Sequence, residues 1–597
     1  MFKKFSYFGS ILLILAFLLA ACQPAAAPTA APAATEAPAA NGGLAPTAKP
    51  APATEAPAAE VAAQSDIVLN VSPAGQSTTT FTYNFNPFAT TYLFPTWAGI
   101  YEPLMINNRL AGELAPWLAK EYKWSDDFKT LTFTLQDGVK WSDNTDFTSA
   151  DVLYTFDLLK KTPGLAGLGL VAVQEGGYID SVTAPDAKTV EFHFNRVYTP
   201  GFYDLIAQYI VPEHVWKNVS DPVTETNLKP VGTGPFTEVV SMQDQSYEVD
   251  RNPYYWQPGK PYVKGLRMPA FSGNDAAATM FVSGDLDWTG QFFSNVDDAV
   301  LANNENDQCW WPAVTSDQFF IVNGTMKPFD DPIVRKAISM SFDRNQLIQL
   351  ALQGKSTSSD VTGLSSGYAA WKVADPTSLG DWTAQNVDEA NKMLDEAGYK
   401  KGADGIRTTK EGKPFDFELA MVNGFSDWLA MAPTIQSNLE SLGFKITINN
   451  YDPGQMFGKW FVGDFTMSLY FGVDADTPYV YYRNIMSSQT FKAVGEQTGF
   501  GQNMWRVVIP DADPLLDKFA GTGDVEVQKQ AALDLQKIFA ENAPVIPLFH
   551  APSFYCYNDS KVGGWANADD PFVRPMPIGQ NASAEQLIQM IAWGPKP

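Results

Sequence analysis

The chain reads as an α/β protein, and three adjoining stretches carry that reading. In residues 415–422, Phe415, Phe417, Leu419 and Met421 alternate with polar or small side chains, the period of a half-buried strand. Trp428, Leu429, Ala432, Ile435, Leu439 and Leu442 then recur at helical spacing and stop at Gly443, the residue type that most readily ends a helix. Residues 444–448 alternate again. Strand, helix and strand joined by short links make a βαβ unit, whose two strands run parallel.

Taken from its start, the chain opens with a targeting segment. Lys3 and Lys4 precede an apolar run over 11–19 that is too short for a lasting span. Leu19-Ala-Ala-Cys22 then sets small residues before a cysteine. This is a secretory signal peptide over 1–22. Its end resembles a bacterial lipobox, which implies that Cys22 is acylated and begins the mature chain; an incidental cysteine is the alternative. Such acyl chains hold a protein at a membrane surface without crossing it. Residues 23–65 are almost wholly Ala, Pro, Thr and Glu, and Ala-Thr-Glu-Ala-Pro-Ala-Ala occurs at 34–40 and again at 53–59. That composition has nothing large and apolar to bury. Biased toward polyproline II at about 3.1 Å per residue, it reaches on the order of 100 Å, a disordered tether.

Beyond the tether, residues 130–135 alternate Thr with apolar side chains and form a strand. Asp137-Gly138 is a turn, and 139–141 is expected to pair back. Thr148 with Asp151 is a helix start, with Val152, Phe156 and Leu159 as the apolar stripe. Residues 189–194 form another strand. Asp331-Pro332 opens a helix, and Asp343 with Gln346 caps the next, which ends at Gly354. Asn386 with Glu389 is a capping box for a helix over 387–397, closed by Gly398.

Composition narrows the function. The stretch from about Asp66 suffices for two or three domains, and 45% apolar residues is the share of a globular body. No second apolar run reaches transmembrane length. A formal charge of −25 without any Lys/Arg cluster argues against nucleic acid as a partner. Export permits a bridge between Cys309 and Cys556, yet two cysteines so far apart read more simply as buried thiols. His193, His214 and His550 fall at no metal-ligand spacing, and no Cys-x-x-Cys occurs. Phosphate-cradling and nucleophile-elbow motifs are absent as well. Neither a metal nor a cofactor is expected. An aromatic share of 13%, with 16 tryptophans, is high enough for some rings to hold a ligand by stacking while most pack the core. The loop 423–428 follows the carboxyl end of a strand, where open α/β sheets bind ligands. It offers Asn423, Ser426, Asp427 and Trp428, although Asp427 serves equally as a helix cap and Trp428 as core.

Several stretches, in order, resemble one family. They are Tyr101-Glu-Pro-Leu104, Gly112-Glu-Leu-Ala-Pro-Trp-Leu-Ala119, Val139-Lys-Trp-Ser-Asp143 and Ala150-Asp-Val152. Further on come Val231-Gly-Thr-Gly-Pro-Phe236, Arg251-Asn-Pro-Tyr-Tyr-Trp256, Asp331-Pro-Ile-Val-Arg-Lys-Ala-Ile338 running on to Phe342-Asp-Arg344, and Pro544-Val-Ile-Pro-Leu548. Together they resemble the family 5 extracellular solute-binding proteins of ABC importers, the oligopeptide/dipeptide/nickel class. The resemblance implies a two-lobed type II periplasmic-binding-protein fold with an extra α/β domain and a hinge. It sets the first lobe at 66–96, 230–325 and 555–597, the extra domain at 97–229 and the second lobe at 326–554. The chain is expected to cross between lobes near 320–323 and 549–555.

Peptide-binding members hold a terminal ammonium with an aspartate four residues before a proline, and Asp474 precedes Pro478 by that spacing. Where they usually carry tryptophan three residues earlier, this chain has Phe471. The stretches 477–483, 287–290, 422–428, 503–506 and 563–565 are more similar to members that carry cello- or other oligosaccharides. That resemblance makes Trp288, Trp371, Trp428 and Trp505 candidate sugar platforms, each alternatively core. Asn423, Asp427, Phe471, Asp474 and Arg506 complete the expected site. The resemblance and the leader together imply a lipid-anchored, monomeric receptor outside the cytoplasmic membrane. It captures an oligosaccharide, or alternatively an oligopeptide, and delivers it to the permease of an importer with separate ATPase subunits. Such a receptor is not an enzyme. A secreted hydrolase using an acid pair such as Asp474 with Asp476, or a signalling receptor on the same fold, are the other readings.

Overall fold

The computed structural model describes residues 63–89, 91–578 and 584–596. The signal peptide, Cys22 and the tether as far as residue 62 lie outside the described residues. Among the described residues no helix is long and apolar enough to cross a membrane.

The first lobe is built on a seven-stranded sheet. Val68–Ser72 lies at its middle, parallel to Gly265–Pro269 on one side and to Trp288–Thr289 on the other. The hairpin Phe236–Gln243 and Ser246–Arg251 extends one edge, and Cys556–Asn558 with Asp307–Cys309 the other. The second lobe holds a five-stranded sheet. Its strand Asp416–Val422 is parallel to Lys445–Tyr451 from Asp416↔Lys445 to Val422↔Tyr451, and parallel also to Met467–Phe471. The crossover helix Ser426–Ser441 ends before Gly443, whose φ is +87°. The βαβ unit is therefore present with the parallel pairing that its alternation and helical stripe predict.

Between residues 105 and 194 a small hairpin, Met105–Asn108 with Glu113–Pro116, leads into a four-stranded antiparallel sheet of Ala119–Trp124, Thr130–Leu135, Thr189–Phe194 and Ile179–Asp186. The helix Ser149–Lys161 covers it, starting in a capping box of Thr148 and Asp151. Its Val152, Phe156 and Leu159 join Leu131, Phe133, Val190 and Phe192 in one core. Residues 139–141 do not pair back as a strand. Only Lys140 bridges Asp146, and Trp141 is instead buried with its indole N–H donating to Asp151. At the helix Val387–Glu396 half of the expected capping box forms: Asn386 accepts from the Glu389 N–H.

Two further expectations are corrected. Cys309 and Cys556 are not separate thiols but a disulfide, because they face each other directly in the antiparallel strand pair of the first lobe. The sequence separation of 247 residues hides that register. The crossings between lobes fall at 310–312 and 553–555, so the first lies before 320–323. Ala313–Val322 belongs to the second sheet, where Phe320 pairs with both Leu469 and Ile546. Flanked on both edges and buried along most of its length, this strand holds polar Thr315, Ser316, Asp317 and Gln318 before its apolar end, so neither alternation nor a continuous apolar run marks where it begins. At the crossings Phe292, Trp311 and Phe554 pack with ring centroids 5.3–5.7 Å apart.

Candidate functional site

Parallel strands point the same ends at the same space. In the first lobe Ser72, Pro269 and Thr289 are the carboxyl ends, with the Ser72 hydroxyl donating to that of Thr289 at 2.7 Å. In the second lobe Val422, Tyr451 and Phe471 are the carboxyl ends. Loops from these ends meet. The helix Asn274–Val282 begins against the start of Ser426–Ser441: the Asn274 N–H donates to the Gly424 carbonyl at 3.4 Å. The Asn274 amide donates to Ser426 and to Asp427, each at 3.4 Å. A side chain at Gly273 would meet the Gly424 backbone within 3.2 Å, so the lobes touch there backbone to backbone. Asp427 is buried between the two helix starts. Burial pushes its carboxyl up to about 7, against its helix N–H donors and the Asn274 amide.

Beside this contact lies a charge cluster drawn from three parts of the fold. Asp474 follows the strand end at Phe471 and is 34% exposed. Its Oδ2 takes Arg109 Nη1 at 2.8 Å and Arg574 Nη1 at 2.9 Å, while Thr315 donates to Oδ1. Burial opposes ionisation, yet the two guanidiniums hold the Asp474 carboxyl well below the usual carboxylate range. Arg109, in the turn of the hairpin at 105–116, also donates from Nε to Asp476 at 2.8 Å. Asn107 donates to the same oxygen at 2.8 Å. Behind both arginines stands Glu585, buried, accepting from the Arg109 N–H at 2.8 Å and from Arg574 Nη2 at 2.7 Å.

An aromatic wall continues from Phe471. Its ring lies 5.0 Å from Trp428, 5.9 Å from Phe425 and 6.2 Å from both Phe457 and Phe500. Phe425, Phe457 and Phe471 are half-buried and Phe500 is exposed, while Trp428, 2% exposed, forms the layer behind. Asn423 is exposed at the loop start and donates to Asp452 at 3.2 Å. Thus Asn423, Asp427, Trp428, Phe471 and Asp474 gather at one end of the second sheet.

The other expected residues do not join them. Trp288 is buried beneath Phe94, Trp565 and Trp593, and its N–H donates to the Pro575 carbonyl at 2.9 Å. Trp505 is equally buried between Phe319 and Tyr470, its N–H donating to the Ile485 carbonyl. Trp371 packs on Phe519 and is buried. Arg506, at φ +58°, turns its Nη1 and Nη2 to the carbonyls of Asn503, Met504, Phe461 and Glu496. An indole without an open face cannot stack on a sugar, so these four act here as packing and backbone ties. Conversely Arg109, Arg574, Glu585 and Thr315 escape the sequence reading. Arg109 and Asp476 are 367 residues apart, and no local pattern marks such a pair.

No group of His, Cys, Asp or Glu able to hold a metal occurs among the described residues.

The sequence profile of the bacterial extracellular solute-binding proteins, family 5 Middle, matches residues 113–493. The chain belongs to that family. A putative ABC transporter peptide-binding protein of Brucella ovis is 29% identical over 342 residues, which are 56% of this chain and 60% of that protein. The match thus spans three fifths of the Brucella relative's length. The glutathione-binding protein GsiB of Escherichia coli is 24% identical over 464 residues, 76% of this chain and 84% of its own. Among solved structures, the mannohexaose-bound periplasmic oligopeptide-binding protein of Thermotoga maritima has a TM-score of 0.78 at 22% identity, covering 89% of this chain and 99% of that one. AppA of Bacillus subtilis, in complex with a nonapeptide, has a TM-score of 0.72 at 19% identity, covering 90% and 100%. The fold of this family 5 protein is accordingly the two-lobed type II binding-protein fold with an added domain.

Proposed function

We propose that this chain is the solute-binding component of an ABC importer, a monomer held outside the cytoplasmic membrane by acylated Cys22. It captures an oligosaccharide between its lobes and delivers it to a permease driven by separate ATPase subunits, without making or breaking a bond. The observation that carries the reading is the convergence of parallel strand ends from two sheets that, among the described residues, are joined by two crossings, at 310–312 and 553–555. Ligands bind at such ends, and two short crossings allow one lobe to rotate on the other.

Sugar is favoured over peptide by the aromatic wall at Phe425, Phe457, Phe471 and Phe500, and by an Asp474 carboxylate that already has two cationic partners. The second reading, an oligopeptide receptor, draws on the peptide-binding names of the relatives. A thermal-shift panel on the full chain, with β-linked oligosaccharides and mannohexaose against mixed short peptides, separates them. A ligand at 100 times its dissociation constant adds about 2.7 kcal/mol to folded-state stability. A shift with sugars alone, and sugar recovered unaltered, supports the proposal. A shift with peptides alone, or cleaved product, overturns it.

A further inference from the structure

We infer that Arg109 and Arg574 are built-in counter-ions of Asp474, filling the position that a ligand ammonium would take, so that the cleft favours neutral or acidic ligand ends over cationic ones. The inference rests on the proposed function, since it assigns selectivity to the same cleft.

Both oxygens of Asp474 are engaged: Oδ2 by two guanidinium nitrogens at 2.8 and 2.9 Å, and Oδ1 by Thr315. Neither arginine is a loose surface side chain. Each is mostly buried. Arg109 is braced by Asp476 and, through its backbone N–H, by Glu585. Arg574 is braced by two bonds to Glu585, from Nε at 3.0 Å and Nη2 at 2.7 Å. A buried acid that orients both cations fixes the fork geometry that a carboxylate prefers. An arriving ammonium would meet two positive charges and would have to strip a charge-assisted bond from Asp474, whereas a hydroxyl or an acylated amine meets no such repulsion. Arg109 comes from the hairpin at 105–116, Arg574 from the C-terminal part of the first lobe, and Asp474 from the second lobe. Closure therefore completes the carboxylate's coordination without any contribution from the ligand.

Titration calorimetry of the full chain with trialanine and with N-acetyl-trialanine tests this. In the wild type the acetylated peptide binds at least as tightly as the free amine. In Arg109→Gln the free amine gains about tenfold relative to the acetylated peptide, the weight of one charge-assisted hydrogen bond. Arg574→Gln, acting on the same oxygen, gives the same shift and stands in if Arg109→Gln does not fold. Arg109→Lys keeps the wild-type ratio, and adding Asp474→Asn to Arg109→Gln abolishes the gain, which a merely structural role for the arginine would not produce. The inference is overturned if the wild type prefers the free amine, if the ratio is the same in the wild type and both glutamine variants, or if no variant binds trialanine. Wild-type binding of oligosaccharides, measured separately, decides the parent reading. Its failure leaves the peptide ratio readable.

Discussion

Asp427 carries a pH dependence that can be worked out from its surroundings. An unfolded aspartate titrates near 3.9, whereas burial moves this one up to about 7. Between those values the folded chain holds a proton that the unfolded chain has released, so stability falls as pH rises through the window and levels off above about 7. Melting curves at pH 5 and pH 8 should show a smaller loss in Asp427→Asn than in the wild type. Parallel losses would mean that the carboxylate is solvated and charged throughout. Glu102, which accepts from Trp117, Tyr255 and Trp256 and is pushed up to about 7 by burial, has the same sign. The comparison must therefore be between variant and wild type. Two aromatic substitutions separate packing from recognition. Trp288→Ala, in the middle of the first core, should cost about 3–5 kcal/mol in chemical denaturation and leave ligand affinity unchanged. Phe471→Ala, half-buried at the wall, should weaken ligand binding by a larger factor than its loss of stability explains. If both variants lose only stability, the wall is core.

Elements whose determinants are local are legible in the sequence. The Thr148–Asp151 box lies within four residues, and the βαβ unit is announced by periods of two and of about 3.6 within a single stretch. The strand at 313–322 is not legible in the same way, because burial on both faces erases alternation, and with it the crossing point is displaced. Pairings across the chain are beyond local pattern altogether: Cys309 meets Cys556 only through strand pairing inside one sheet, and Arg109 meets Asp474 only because separate folded parts come together. The tryptophans divide for the same reason. Composition counts them, but only packing tells Trp428, behind an open wall, from Trp505, enclosed on all sides. The disulfide gives this scale its prediction. It closes a loop of well over a hundred residues and joins the two strands that lead into the crossings. The paired substitution Cys309→Ser with Cys556→Ser should lower unfolding free energy by about 2–4 kcal/mol, as should thiol reductant on the wild type. Denaturation midpoints that do not move would show that the strand pairing holds without the bridge.

For the molecule as a whole, the question is whether the contact between the helix starts is what closure makes. Gly273 and Gly424 meet there, at φ +144° and +83°, with the Asn274 N–H on the Gly424 carbonyl. Asparagine tolerates left-handed backbone better than other side chains, so Gly424→Asn keeps the local turn at small cost. A Cβ at 424 would sit 3.5 Å from the Ser272 carbonyl and 3.8 Å from Gly273, already in van der Waals contact with the facing loop, so a longer side chain there should press against the first lobe. Small-angle scattering at saturating ligand should then give a larger radius of gyration for Gly424→Asn than for the wild type. Its affinity should fall, because binding energy is spent against the wedge. The free variant should melt close to the free wild type, since the substituted loop lies at the lobe contact and not in either core. If ligand compacts both proteins alike, the lobes close about some other contact, and the touching glycines are a fixed part of the hinge region.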